Sequence, residues 1–374
     1  MQICRYNAAT VIFTNIVYFS MLTFMALIAH EPYMQRCLQL AFLGAGNVAP
    51  NPMVGAVLVH QGKIIGEGYH RKFGHAHAEV NCLDSVHETS KHLIKECTLY
   101  VSLEPCNHVG KTPPCSNLII AHQIPRVVIA CKDPFEKVNG SGIEKLRNNG
   151  IEVITGVLEK EALFLNRRFI TFHQHKRPYI ILKWAQSSDH KIARTAKKPV
   201  KISHEITDRI IHKWRSEEAA IMVGTGTALA DNPSLTTRLW KGKNPVRVVI
   251  DKKLEIPAHY RLMDDNVPTI IINTIKESVE GNRTYCKVAG HDNLAEKIPD
   301  ILYRQNLSSL IIEGGASLLG SFLKAGIWDE ARVITNKEMV IGDGINVSFN
   351  ERMQPVKRSH FLPDELSYYM NTEK

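Results

Sequence analysis

Apolar residues at Met34, Cys37, Leu38, Leu40 and Ala41 recur at helical spacing and give way to Gly44 and Gly46, which predicts an amphipathic helix with a glycine stop. The period then shortens. Val54 to Val59 and Lys63 to Tyr69 flank a Gln61-Gly62 turn and predict a hairpin. Helices are expected from about Ala78 to Val86, from Pro113 to Ala121 and around Gly142 to Asn149, alternating with strands at Thr98 to Ser102, Arg126 to Ala130 and Ile151 to Thr155. A polar, basic run from Phe172 to Pro178 interrupts the alternation and is expected to be a linker. Beyond it the pattern restarts with a strand Tyr179 to Trp184, a helix Ser203 to Glu217 and strands Ala220 to Val223, Val246 to Asp251, Thr269 to Asn273 and Leu310 to Ile312. A helix Ser317 to Ala325 follows. Strands alternating with helices on both sides of the run predict two α/β units.

The 374 residues, 44% hydrophobic and 22% charged, suit about two folded domains and exclude disordered, collagenous and mucin-like classes. A net charge of +9 permits an anionic partner, either nucleic acid or a phosphorylated metabolite. No long basic run occurs, and the densest spots, Lys197-Lys198 and Lys241 with Lys243, do not interleave with aromatics as a single-strand platform would. Seven of the eight cysteines fall within the first 131 residues, which points to a reducing compartment and a metal in the first half. Ala8 to Ala29 carries no charge over 22 residues, just enough to span a bilayer. It is diluted by Thr10, Thr14, Asn15, Ser20 and Thr23 and closes on no cleavage pattern. Residues 1–30 are therefore expected to be an extension of unknown role; an overcalled start, an anchor and a packed helix are the alternatives.

The strongest chemical signal is His77-Ala78-Glu79 followed by Glu104-Pro105-Cys106 and, after eight intervening residues, Cys115. Two thiolates and an imidazole leave one position of a tetrahedral zinc open, as a catalytic site requires. A water there has its pKa lowered toward ~7. Residues i and i+2 of a helix point about 200° apart, so His77 and Glu79 share a pocket only if His77 sits at a frayed helix start. Pro105 and Pro113-Pro114 are expected to put Cys106 and Cys115 at or near helix starts too, where the dipole favours thiolates. A closed site recruiting Cys82, Cys97 or Cys131 is the structural alternative.

H-x-E with a later P-C and second cysteine is the zinc deaminase signature, in which the non-ligand glutamate shuttles protons. The long spacing Cys-Asn-His-Val-Gly-Lys-Thr-Pro-Pro-Cys resembles the bifunctional riboflavin-biosynthesis deaminase/reductase family, as do Pro50-Asn51-Pro52-Met53-Val54-Gly55, Gly66-Glu67-Gly68-Tyr69-His70 and Asp133-Pro134. The likeness runs from about Tyr33 to the C-terminus. It implies a cytidine deaminase-like α/β/α sandwich that removes the 2-amino group of 2,5-diamino-6-(5-phosphoribosylamino)pyrimidin-4-one. By the same likeness His77, Cys106 and Cys115 bind Zn2+, Glu79 moves protons and Asn51 lies in the pyrimidine pocket. Phe135 departs from the family's usual Asn.

In the second half Gly224-Thr225-Gly226-Thr227 is a weak cue alone, whereas Leu310 to Ser317, a strand, two glycines and a helix start, exposes backbone N–H groups to an anion. Arg215 and Arg238 are candidates for bidentate phosphate binding. Leu182 to Asp189, Gly224 to Thr227, Asp231 to Arg238 and Glu313-Gly314-Gly315 resemble the family's reductase half. The resemblance implies a dihydrofolate reductase-like α/β domain using NADPH, with Ala185, Thr227, Asp231, Gly315, Ala316, Ser317 and Ser321 on the cofactor. Arg215, Leu235, Arg238 and Glu313 would hold the phosphoribosyl substrate, and hydride would go to C1 of the ribose. His190 in place of the usual Gly after Asp189, and Pro199 to Ser203 in place of a Ser-x-Trp-Ile-Thr-like segment, are departures.

The expected organisation is thus an extension at 1–30, a deaminase domain at 31–173 and a reductase domain at 178–374. Small phosphoribosylaminopyrimidines are the expected partners in the cytoplasm, with neither nucleic acid nor membrane expected and a homo-oligomer left open. One rival is a nucleic-acid base deaminase with an appended binding domain. The other is a zinc-stabilised interaction protein, in which Glu79 has no purpose.

Overall fold

The computed structural model describes residues 27–107, 113–134, 139–195, 200–350 and 352–372, and the chain divides into two compact units, Met1–Arg167 and Arg168–Lys374. Unit one opens with helix α1 (27–42). There follow β1 (Gly55–His60), β2 (Lys63–Tyr69), α2 (Ala78–Asp84), β3 (Thr98–Val101), α3 (Cys115–Ala121), β4 (Arg126–Ile129), α4 (Ser141–Asn148), β5 (Glu152–Thr155) and α5 (Glu159–Leu165). A 3₁₀ segment, Glu88–Glu96, links α2 to β3. The five strands form one sheet in the order β2-β1-β3-β4-β5, with β1 antiparallel to both its neighbours and β3, β4 and β5 parallel. Both faces are buried: Leu58, Leu99 and Val127 pack with Ala78, Cys82 and Ile119 on one, Val57, Tyr100 and Val128 with Met34, Cys37 and Ala162 on the other. Gly68 is required by this packing, because a Cβ there would stand 2.2 Å from the Cys82 amide nitrogen of α2.

Helix α6 (Arg167–His175) contains the division, and unit two continues with β6 (Tyr179–Ser187), β7 (Lys191–Arg194), α7 (Glu205–Glu217), β8 (Ala220–Gly224), α8 (Thr225–Asp231), β9 (Val246–Ile250) and β10 (Thr269–Asn273). Then come β11 (Ser278–Glu280), β12 (Arg283–Lys287), α9 (Leu294–Arg304), β13 (Ser309–Ile312), α10 (Ala316–Ala325), β14 (Glu330–Asn336), β15 (Gly344–Asn346), β16 (Lys357–Phe361) and β17 (Asp364–Met370). Ten strands order as β11-β12-β10-β9-β8-β13-β6-β14-β17-β16. The run β12 to β14 is parallel and flanked by antiparallel edges, so its central strands are buried on both faces and read as unbroken apolar stretches.

Three expectations need correction. Phe172 to Pro178 is not a free linker: α6 runs through His175, and Phe172 is buried against the Tyr303 ring. Charged and polar residues on its outer face disguise a helix whose apolar positions are few. Residues 27–30 do not lie outside the fold either, because they form the first described turn of α1, with His30 hydrogen-bonded to the Tyr100 hydroxyl at 2.8 Å. The rest of the apolar N-terminal stretch, like Phe135 and Pro199, lies outside the described residues. Finally, Cys106 is not at a helix start but in the loop, neither helix nor strand, that follows β3. Among the described residues, no helix is long and apolar enough to cross a membrane.

Candidate functional sites

His77 is the N-cap of α2, with extended backbone at φ −74° and ψ 170°, so its ring leaves the helical face and can meet Glu79 two residues on. Cys115 opens α3, and Cys106 lies in the loop that follows β3. The three converge: the His77 Nδ1 lies 3.4 Å from the Cys115 Sγ and 3.6 Å from the Cys106 Sγ, and all three atoms are within 4.8 Å of one another. With Zn–S near 2.3 Å and Zn–N near 2.0 to 2.1 Å, a tetrahedral S-to-N edge is about 3.6 Å, so both sulfur–nitrogen separations match a zinc-bound donor set. The Cys115 amide donates to the Cys106 Sγ at 3.3 Å. A hydrogen bond from Cys115 is the chief reason the Cys106 thiol is held low, with burial opposing it, and the Cys106 sulfur in turn raises the His77 imidazole above its ordinary value.

Glu79 is buried at 3% exposure on α2 and is not one of the three clustered donors. Burial raises its carboxyl above the usual range, with the Cys106 charge adding to the effect. A carboxyl so placed holds a proton more readily than a free carboxylate, which suits an acid/base group. Asn51 is drawn to the same place through His70, whose Nε2 is 3.3 Å from the Asn51 Nδ2, whose Nδ1 bonds the Ala76 carbonyl at 3.0 Å, and whose ring meets that of His77 edge-on at 5.4 Å. His70 is a residue that sequence reasoning quoted but did not single out.

In unit two, β8, β13 and β6 are adjacent and parallel, and α8 and α10 spring from the C-terminal ends of the first two. Ligands of open α/β sheets bind at that end. The Thr227 Oγ1 accepts from the Gly315 amide at 3.1 Å and ties the two helix starts together. No side chain caps the N-terminus of α10, which leaves the Ala316 and Ser317 end of the helix open toward an anion. Ala185 lies on β6, Asp231 ends α8 and is exposed, and the exposed Ser321 turns its hydroxyl back to the Leu318 carbonyl.

The substrate-side residues divide into two kinds. The Arg215 Nε and Nη2 both donate to the Glu313 carboxylate, and its Nη1 donates to the Thr236 carbonyl at 3.2 Å. Arg238, by contrast, is exposed and has no hydrogen-bond or ion-pair partner among the described residues. Leu235 is buried beside it in the left-handed region, at φ +52°. Lys183 on β6 completes the Glu313 cluster at 3.4 Å, and burial lowers its pKa. Its only signal in the sequence is a lysine inside the otherwise apolar run Tyr179 to Trp184. His190 adopts φ +63°, the conformation that glycine would take without strain, and its Nδ1 sits 3.0 Å from the Gln186 amide nitrogen.

Known proteins share both halves. The cytidine and deoxycytidylate deaminase zinc-binding region matches residues 28–131, and the RibD C-terminal domain matches residues 178–354. Riboflavin biosynthesis protein RibD of Aquifex aeolicus is 40% identical over 325 residues, covering 84% of this chain and 88% of the relative. The RibD of Escherichia coli is 34% identical over 331 residues, covering 84% and 89%. A crystal structure from Thermotoga maritima, described as a diaminohydroxyphosphoribosylaminopyrimidine deaminase/5-amino-6-(5-phosphoribosylamino)uracil reductase, matches with a TM-score of 0.84 at 36% identity over 92% of this chain and 99% of that one. Acinetobacter baumannii RibD gives a TM-score of 0.83 at 27% identity over the same shares, 92% and 99%. Unit one is thus cytidine deaminase-like and unit two dihydrofolate reductase-like.

Proposed function

The chain belongs to the RibD family of riboflavin biosynthesis proteins, and on that premise we propose that it is a bifunctional enzyme. It hydrolytically deaminates 2,5-diamino-6-(5-phosphoribosylamino)pyrimidin-4(3H)-one and then reduces the ribosyl chain with NADPH to 5-amino-6-(5-phosphoribitylamino)uracil. The observation that carries the first activity is the convergence of His77, Cys106 and Cys115 with a buried, non-ligand Glu79 beside them.

His77, Cys106 and Cys115 would hold zinc, which when bound would supply Lewis-acid activation of the attacking water. Glu79 takes a proton from the attacking water and hands one to the departing ammonia. Asn51, anchored on His70, orients the pyrimidine. For the second reaction the bound NADPH would supply hydride chemistry, directed at C1 of the ribose by the residues that align the two. Thr227, Asp231, Ala185 and, at the turn into α10 and along it, Gly315, Ala316, Ser317 and Ser321 would hold the cofactor. Leu235, Arg238 and the Arg215–Glu313 pair form the substrate side, with Arg238 the charge open to phosphate.

We assign deamination to the first unit and reduction to the second; their division at Arg167 falls short of the end of the expected deaminase bounds of 31–173 and ahead of the expected reductase bounds of 178–374. The partners are small phosphoribosylaminopyrimidines, with no nucleic acid or membrane required and a homo-oligomer compatible. The cytoplasm is the compartment, supported by free thiols at every described cysteine. A nucleic-acid deaminase loses its footing because the second half matches a reductase family and not a binding module. The test supplies zinc-loaded protein with the diaminopyrimidine phosphoriboside and NADPH and follows ultraviolet change and NADPH loss together. Deamination without NADPH consumption, or neither, would refute the bifunctional assignment.

A further inference from the structure

Glu104 stands two residues before Cys106, is buried at 3% exposure and takes no part in the chemistry described above. Its carboxylate accepts four backbone amides. Oε1 accepts from Gly142 at 2.9 Å and Ile143 at 3.3 Å; Oε2 accepts from Gly140 at 2.9 Å and Asp133 at 3.2 Å. Gly142 and Ile143 are in the first turn of α4, where amides lack intrahelical partners, and the N-cap, Gly140, has no side chain to serve them. Glu104 therefore caps α4 from a distant part of the chain, its charge lying at the positive end of the helix.

The same contact bears on the cysteine ligands. A Cβ on Gly142 would stand 2.1 Å from the Pro105 carbonyl oxygen, so α4 is pressed directly on the residue preceding Cys106. On the far side of Cys106, the Asn107 Nδ2 donates to the Ser141 carbonyl at 3.3 Å, while its Oδ1 accepts from the Lys145 Nζ at 2.9 Å and from the hydroxyl of Ser116, the neighbour of Cys115, at 3.2 Å. Cys106 is thus clamped before and behind to one helix. That explains how a loop segment, with no helix or strand of its own, can hold a thiolate in place.

We propose that Glu104 is a positioning residue for the metal centre, fixing the Cys106 thiolate through Pro105 and the start of α4; this rests on the reading of Cys106 as a zinc ligand. Gln at this position offers one acceptor oxygen and an NH2 group that confronts the remaining amides. Partners that orient metal ligands are typically worth about 10- to 100-fold in metal affinity or activity.

The full chain, freed of zinc and titrated with cobalt(II), gives the test. Wild-type protein should show a thiolate-to-cobalt charge-transfer band; its absence would remove the ligand reading itself. With that band in place, Glu104→Gln should weaken cobalt and zinc binding by about 10- to 100-fold, shift the ligand-field bands and lower the deaminase kcat more than KM changes. Reductase kcat/KM on the same chain should stay within about twofold. Glu104→Asp, which keeps a four-acceptor carboxylate one methylene short, should recover part of the loss. Should Glu104→Gln not fold, Gly142→Ala leaves the carboxylate intact and displaces Pro105 from α4, and it should shift the same cobalt bands. Unaltered affinity and spectrum in the variants, or reductase activity falling in parallel with deamination, would overturn the proposal.

Discussion

Arg215 and Glu313, 98 residues apart in the chain, meet with two parallel bonds, Nε to Oε1 at 2.9 Å and Nη2 to Oε2 at 2.7 Å. The side chains are only 13% and 8% exposed, so this is a buried pair whose partners depend on one another. A bidentate arginine already engaged with protein differs in kind from one that faces solvent and waits for a phosphate. That distinction separates two substitutions that the sequence alone treats alike.

Arg215→Ala should act mainly through stability. Removing one partner of a buried ion pair costs about 3 to 5 kcal/mol, because the remaining charge is left in a poor environment, here relieved only by Lys183 at 3.4 Å. Reductase activity and the unfolding temperature of unit two should fall together while deamination persists. An unmoved unfolding transition with only a raised substrate KM would instead make Arg215 a direct phosphate contact.

Arg238→Ala should leave stability unchanged and weaken use of the phosphorylated substrate. A charge-assisted hydrogen bond is worth about 1.5 to 3 kcal/mol, which predicts a roughly 10- to 150-fold loss in reductase kcat/KM. NADPH affinity should change less. Steady-state kinetics with the deaminated uracil, titrating both substrates, will check this, and unchanged turnover would move the phosphate site elsewhere.

Glu79→Gln should retain zinc and reductase activity yet lose deamination by about 10²- to 10⁴-fold, the usual worth of a positioned acid/base group. Metal content and both assays on one preparation decide the matter. Loss of zinc along with activity would mark Glu79 as structural.

Acid should destabilise unit two through Glu313. Burial alone would raise its carboxyl, but Arg215 and Lys183 overcome that and lower it to about 2. A depressed folded-state value means the unfolded chain binds the proton first, so the contribution is fully present above the ordinary carboxylate range near pH 4.5 and is lost as pH falls toward 2. Denaturant unfolding of unit two across that window should show stability falling with pH, with a shallower slope in Glu313→Gln. Equal slopes in both proteins would refute the assignment.

Cys106 is the one described cysteine that is not buried. Alkylation of metal-free protein should therefore label Cys106 first, and added zinc should protect it. Mass mapping of the modified peptide reads this out; early labelling of Cys82 or Cys97 with Cys106 untouched would contradict it.

Much of this protein is local in its sequence. The alternation of apolar periods marks the strands and helices that fill both cores, and His77 two residues before Glu79 already demands the helix-start geometry that the N-cap of α2 displays. Local patterning was weaker where polar surface masked a helix, as in α6, or where a proline stood within one, as Pro299 does in α9, and the expected elements missed both. Propensity and period act over a few residues, so they specify elements and the residue types that chemistry needs. Tertiary structure alone decided that the Nδ1 of His77 faces the thiols, that the loop carrying Cys106 is tied to α4 through Glu104 and Asn107, and that Arg215 is committed to Glu313 while Arg238 has no such partner among the described residues. Each of these depends on a partner many residues away, brought close only when sheets and helices pack, and no short window of sequence contains both members of such a pair.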